Sequence, residues 1–70
     1  MGVVVKVDGS RLHRRRLRRG LIVQELGKTP GVSPSTILRL EKGRGPASIT
    51  TLRKLAEALK VDAADLLVIK

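Results

Sequence analysis

Residues 3–7, VVVKV, form a β-branched run that stops at the turn dipeptide Asp8-Gly9, a pattern that predicts a short strand. Beyond it, apolar residues recur at three- and four-residue spacings between glycine and proline breaks, so the rest of the chain reads as helices. The first is expected to be capped by Ser10, to run through Arg19 and to end at Gly20 in the left-handed conformation. Its main apolar contacts are Leu12 and Leu17, so arginine stems must cover part of the core. A second helix, about Ile22 to Lys28, must stop near Thr29 because Pro30 disfavours helical geometry in the residue before it. Gly27 within it costs about 1 kcal/mol relative to alanine, which makes sense if another helix packs closely there.

The third helix carries the sharpest signals. Gly31 and Val32 end the preceding element, Ser33 is the expected N-cap, and Pro34 takes the first helical position, where a missing N–H costs nothing. Val32 can pack on Ile37 as a hydrophobic staple that fixes the angle of approach. Ile37 and Leu40 point one way, while Ser35, Thr36, Arg39 and Lys42 point another, leaving a polar, cationic face outward until the helix ends at Gly43. Arg44 to Ala47 reads as a loop. Ser48 then caps a fourth helix with a core face of Ile49, Leu52, Leu55, Ala56 and Leu59. Asp62 is expected to cap a short fifth helix, with Asp65 three residues on and Val61 and Leu66 in the staple positions. The tail Leu67-Val68-Ile69 resembles the first segment in character, which suggests that the two ends pair within one chain or between two; a frayed tail is the alternative.

Seventy residues support one small domain with one core. Fifteen lysines and arginines against six acidic residues give a net charge of +9, a field that favours polyanions such as nucleic acid or an anionic membrane. The absence of Phe, Tyr and Trp removes the stacking platforms of single-strand readers and leaves double-stranded nucleic acid as the better candidate. There is no Cys and one His, so neither a disulfide framework nor a zinc shell can be assembled, and His13 is expected on the surface without a ligand role. The Val3–Val5 run is too short for a signal peptide or a membrane span, so a cytoplasmic protein is expected. No nucleophile is paired with a plausible base and no carboxylate pair stands out. Neither an enzyme nor a cofactor is expected.

Leu26, Gly27, Gly31, Val32, Ile37, Leu40, Glu41 and Gly43 at their spacings resemble the lambda-repressor-like (Cro/C1, XRE-type) helix-turn-helix family, over about residues 10–67. The resemblance implies an all-α, compact five-helix domain at 10–70, preceded by a strand or arm at 1–9, with the helix-turn-helix unit at 23–42. It implies that the second helix lies over the DNA backbone while the third enters the major groove of double-stranded DNA. It also pairs Arg16 with Glu41, linking the first helix to the end of the third. Breaking such a pair when well buried costs roughly 3–5 kcal/mol. The chain departs from the family pattern at several positions. Val23 stands where relatives often place a phosphate-clamping Gln, with Gln24 one residue later, and Pro34 stands where they often carry a base-reading side chain. Arg15 replaces an apolar residue, and Pro30 a residue that normally continues the second helix.

Base or groove contacts are therefore assigned to Ser33, Ser35, Thr36 and Arg39, and phosphate contacts to Gln24, Lys28, Lys42 and Arg44. Arg39 can bond a guanine through O6 and N7 or simply hold a phosphate, and Leu38 can touch a thymine methyl or be a lone surface leucine. The arginines between 14 and 19 read equally as a second phosphate surface or a solvated face. These readings lead to a transcriptional regulator that represses by occupying its site, expected to dimerise on a two-fold operator through the fifth helix or the terminal strands. Two other classes stay open: an antitoxin or similar regulator that masks an acidic protein partner such as a toxin, and a nonspecific nucleic-acid binder driven by charge alone.

Overall fold

The computed structural model describes residues 3–29 and 31–68. Strand β1 (Val4–Val5) leads into helices α1 (Gly9–Arg18), α2 (Val23–Leu26) and α3 (Pro34–Glu41), followed by β2 (Ala47–Ser48), α4 (Ile49–Leu59) and a 3-10 turn at Ala63–Leu66. The helices close around one core in which Leu12, Leu26, Ile37, Leu40, Leu52, Leu55, Leu59 and Leu66 are fully buried. Each such leucine or isoleucine contributes roughly 1.5–3 kcal/mol by leaving water, which is why a chain without aromatics still holds a fold. Among the described residues, no helix is long and apolar enough to cross a membrane.

The caps explain where the helices begin. Ser33 Oγ accepts from the backbone N–H of Thr36 at 3.3 Å, and Ser48 Oγ accepts from that of Thr51 at 3.1 Å, as the sequence predicts. The first helix is different: its cap is Asp8, whose carboxylate accepts from the Arg11 N–H at 3.1 Å, and Ser10 lies inside the helix. The carboxylate sits at the positive end of the helix dipole and outcompetes a serine two residues on. Gly20 is left-handed with φ +67, as expected of the residue that stops this helix.

Several expectations are corrected. The second helix starts at Val23, with Ile22 outside it donating its N–H to Glu25 Oε1 at 2.9 Å, and it ends at Leu26 rather than Lys28. A Cβ on Gly27 would lie 2.5 Å from Pro34 Cγ, so this glycine admits the first turn of α3 against the end of α2. Pro30, invoked as the breaker of that helix, lies outside the described residues. Leu17 is exposed rather than a core contact, while Arg16 beside it is buried. The fifth helix is a 3-10 turn, and Asp62 makes no side-chain cap; the Asp62 carbonyl instead accepts from the Asp65 N–H at 2.9 Å. Among the described residues the fold thus has four α-helices and one 3-10 turn, with Leu66 of the turn fully buried.

The first segment pairs within the chain, in two directions. β1 runs antiparallel to β2, with Val4 opposite Ser48 and Val5 opposite Ala47, a pairing the loop assignment of residue 47 did not anticipate. Val7 bridges Leu67, while the Val68 N–H donates to the Lys6 carbonyl at 3.1 Å and the Asp8 N–H to the Leu66 carbonyl at 2.7 Å. The tail therefore meets the first segment as one of the two alternatives held. Ile69, the last residue of the proposed pairing, lies outside the described residues.

Candidate nucleic-acid interface

α3 is held by its inner face and its two ends. Ile37 and Leu40 are fully buried, Val32 before the cap is buried beside them, and α3 packs against both α1 and α2. At its far end Gly9 of α1 lies so close that a Cβ there would meet the carbonyl oxygens of Leu40 and Glu41, so the absence of a side chain lets α1 rest directly on the α3 backbone.

A buried ionic cluster ties the same end to α1. Arg16 donates from Nε to Glu41 Oε2 at 2.7 Å and from Nη2 to Oε1 at 3.0 Å, and from Nη1 to the Leu21 carbonyl at 2.8 Å. The two side chains are 9% and 7% exposed. This is a two-pronged guanidinium–carboxylate geometry, with the third nitrogen bonded as well, so no buried side-chain nitrogen or oxygen among the described residues lacks a partner. Burial pushes the Glu41 carboxyl up, but hydrogen bonds and charge from Arg16 and His13 outweigh it and hold the group below the usual carboxylate value. The hydrogen bond to Glu41 raises the Arg16 guanidinium above its ordinary value, against the opposing pull of burial.

His13 is a member of this cluster that sequence reading placed simply on the surface. Its Nδ1 is 2.8 Å from Glu41 Oε1 and 3.1 Å from Arg16 Nη2. With Nδ1 protonated the ring donates to Glu41, and in the other tautomer it accepts from Arg16 Nη2, so the half-exposed imidazole joins the cluster in either form. The signal available in the sequence was its place three residues before Arg16, one helical turn away on the same face.

On the outer side, Ser35, Leu38, Arg39, Lys42 and Arg44 line one concavity of about 350 Å³. Ser35, Arg39, Lys42 and Arg44 were singled out from the sequence, and the fold brings these four together. Ser33 and Thr36 stand beside them at the start of α3, with Oγ to Oγ1 at 3.0 Å; Ser33 is already committed as the cap. Gln24 on α2 and Lys28 just after it are exposed but line no part of this concavity. Arg39 is not extended into solvent: its Nη1 donates to the Arg44 carbonyl at 2.7 Å and the Pro46 carbonyl at 3.3 Å, which pins the loop after α3 and leaves Nε and Nη2 for other acceptors. Of the arginines at 11–19, Arg16 alone is buried; Arg11 and Arg15 reach Asp8 and Asp65 only at 3.8 and 4.0 Å.

The arrangement is that of a helix rigidly seated by its inner face, with hydroxyl and cationic groups along its outer one. A family model described as a helix-turn-helix domain matches residues 9–67. A helix-turn-helix-type transcriptional regulatory protein of Pyrococcus furiosus is 39% identical over 56 residues, covering 80% of this chain and 18% of that protein. The transcriptional repressor RghR of Bacillus subtilis is 44% identical over 54 residues, covering 76% of this chain and 40% of that protein. The chain thus spans less than half the length of either relative. Among solved structures, the restriction-modification controller protein C.AhdI of Aeromonas hydrophila superposes with a TM-score of 0.78 at 30% identity, over 84% of this chain and 89% of that one. The chain belongs to the Cro/C1-type (XRE) helix-turn-helix family of DNA-binding transcriptional regulators.

Proposed function

We propose that this chain recognises a specific duplex DNA sequence by inserting α3 into the major groove and regulates transcription by occupying that site. The observation that carries the reading is the outer stripe of α3: Ser35, Arg39 and Lys42 share a concavity with Arg44, opposite the fully buried Ile37 and Leu40. A helix of this width fits the major groove, where each base pair presents a distinct pattern of donors and acceptors. Ser35 and Thr36 contact bases, Arg39 uses Nε and Nη2 toward a guanine edge, and Lys42, Arg44, Gln24 and Lys28 hold phosphates. Ser33 acts mainly by fixing the first turn.

Repression by occupancy is the reading that the relationship to RghR supports, and a homodimer on a two-fold operator is the arrangement that such a single small reading head requires for affinity. Acting on chromosomal DNA places the protein in the cytoplasm. Selection of binding sequences from a random duplex pool, followed by footprinting of the winner, tests these points together. The expected result is one preferred sequence, bound about a thousandfold or more tighter than random duplex at physiological salt, with two half-sites about 34–36 Å apart. Equal binding to every duplex refutes specific recognition, and a single unpaired half-site refutes the dimer.

A further inference from the structure

One apolar residue interrupts the outer stripe of α3. Leu38 is 45% exposed, three residues after Ser35 and four before Lys42, so it occupies the middle of the stripe. It lines the concavity shared with Ser35, Arg39, Lys42 and Arg44, and also the cleft between α1 and α3, where Leu17 stands with His13 and Arg14. Leu17 is itself 57% exposed, so the cationic surface here encloses two uncovered leucines. The core has no use for Leu38, because Ile37 and Leu40 already supply the buried face of the helix. Arg39 does not shield it either, since its Nη1 is drawn to the carbonyls of Arg44 and Pro46.

What could such a side chain meet in the groove? Every polar group on a base edge would lose water against an isobutyl group and gain no partner. The apolar group on offer there is the C5 methyl of thymine. We infer that Leu38 is a specificity-determining residue that reads a thymine through its methyl group, and that the preferred duplex carries thymine opposite the middle of α3. This rests on the groove reading proposed above and narrows it. Leu38 supplies selectivity through burial of a methyl, while Arg39 supplies it through hydrogen bonds, so the two act on different base pairs.

The test uses the preferred duplex from the pool selection, resynthesised with each thymine in turn replaced by deoxyuridine. That change removes the methyl and keeps every hydrogen-bonding atom. Wild-type protein is expected to lose about fourfold in affinity at one position per bound copy, the scale of one carbon unit withdrawn from water. Leu38→Ala is expected to bind the thymine duplex more weakly and to stop distinguishing thymine from deoxyuridine at that position, while Leu38→Met retains the distinction. Melting temperatures of both variants should match wild type, because the side chain lies outside the core. Indifference of the wild type to every deoxyuridine overturns the inference, as does a Leu38→Ala protein that keeps the discrimination. A pool that yields no preferred duplex refutes the groove reading itself, and this inference with it.

Discussion

Replacing Glu41 by alanine is expected to remove roughly 3–5 kcal/mol of folding stability at pH 7, the usual cost of stranding one member of a buried ion pair. The structure argues for the upper part of that range. Arg16 is 9% exposed and gives two of its three nitrogens to Glu41, so without the carboxylate it retains the Leu21 carbonyl at 2.8 Å and the half-exposed His13 ring at 3.1 Å. A 70-residue domain has about 3.5–10 kcal/mol in total, so the variant should melt roughly 12–40 °C lower. Arg16→Met should cost less, because His13 Nδ1 still lies 2.8 Å from Glu41 Oε1 and can take the Nδ1-protonated form there. The double variant Arg16→Met/Glu41→Leu should recover much of the loss, since a packed apolar pair often replaces a buried ion pair at little cost. Urea unfolding followed by circular dichroism measures all four proteins. A loss below about 1 kcal/mol for Glu41→Ala, with an unchanged m value, would mean that the pair behaves as a surface contact and that the reasoning is wrong. The pH dependence follows from the same group. The folded-state pKa of Glu41 lies below its ordinary value of 4.5, so its contribution is complete above that value and is lost as pH falls through the depressed one. Unfolding free energies of wild type and Glu41→Gln should therefore differ at pH 7 and converge in acid.

Gly9→Ala should destabilise by about 1–3 kcal/mol in a thermal melt, because the new Cβ lies 2.6 Å from the Leu40 carbonyl oxygen and 2.8 Å from the Glu41 carbonyl carbon, and backbone cannot step aside as a side chain can. Arg39→Ala should relax base choice at one position of the selected duplex at a cost of about 1–3 kcal/mol, and Arg39→Lys should not restore it, because a lysine cannot make the paired contact. Lys42→Ala and Arg44→Ala should each weaken binding to all sequences alike and reduce the slope of log affinity against log salt by about 0.9, measured by fluorescence anisotropy across a salt series.

Much of this architecture could be read from local chemistry. The Ser33-Pro34 start of α3, the Ser48 start of α4 and the spacing of Leu52, Leu55 and Leu59 are each decided within one or two turns of chain, and each stands where expected. The failures have a common physical origin in contacts distant in sequence. β2 is only Ala47–Ser48, two residues with no strand character of their own, and exists because Val4 and Val5 pair with it. Leu17 was taken for core because it is apolar, yet a buried arginine with its own carboxylate outbid it for the position facing α3. Ser10 and Asp8 both satisfy the rule for a cap, and the Asp8 carboxylate takes it, starting the helix at Gly9, which packs on the end of α3 far away in sequence. At the interface, Ser35, Arg39 and Lys42 were visible as a charged and hydroxylated face, whereas the tie from Arg39 to the loop carbonyls depends on where the chain turns after Gly43.

The clasp formed by residues 3–8 delays one part of folding behind the rest. These residues hydrogen-bond to Ile49 through Val3 and to the stretch at 66–68, both far away along the chain. The helical middle can assemble from neighbours a few turns apart, but the amino-terminal ribbon docks only once residues 47–49 and 66–68 are in place, contacts that require closing long loops first. In pulsed hydrogen exchange during refolding, the amides inside α1, α3 and α4 should therefore gain protection before those of Asp8, Ile49 and Val68, which bond across the clasp.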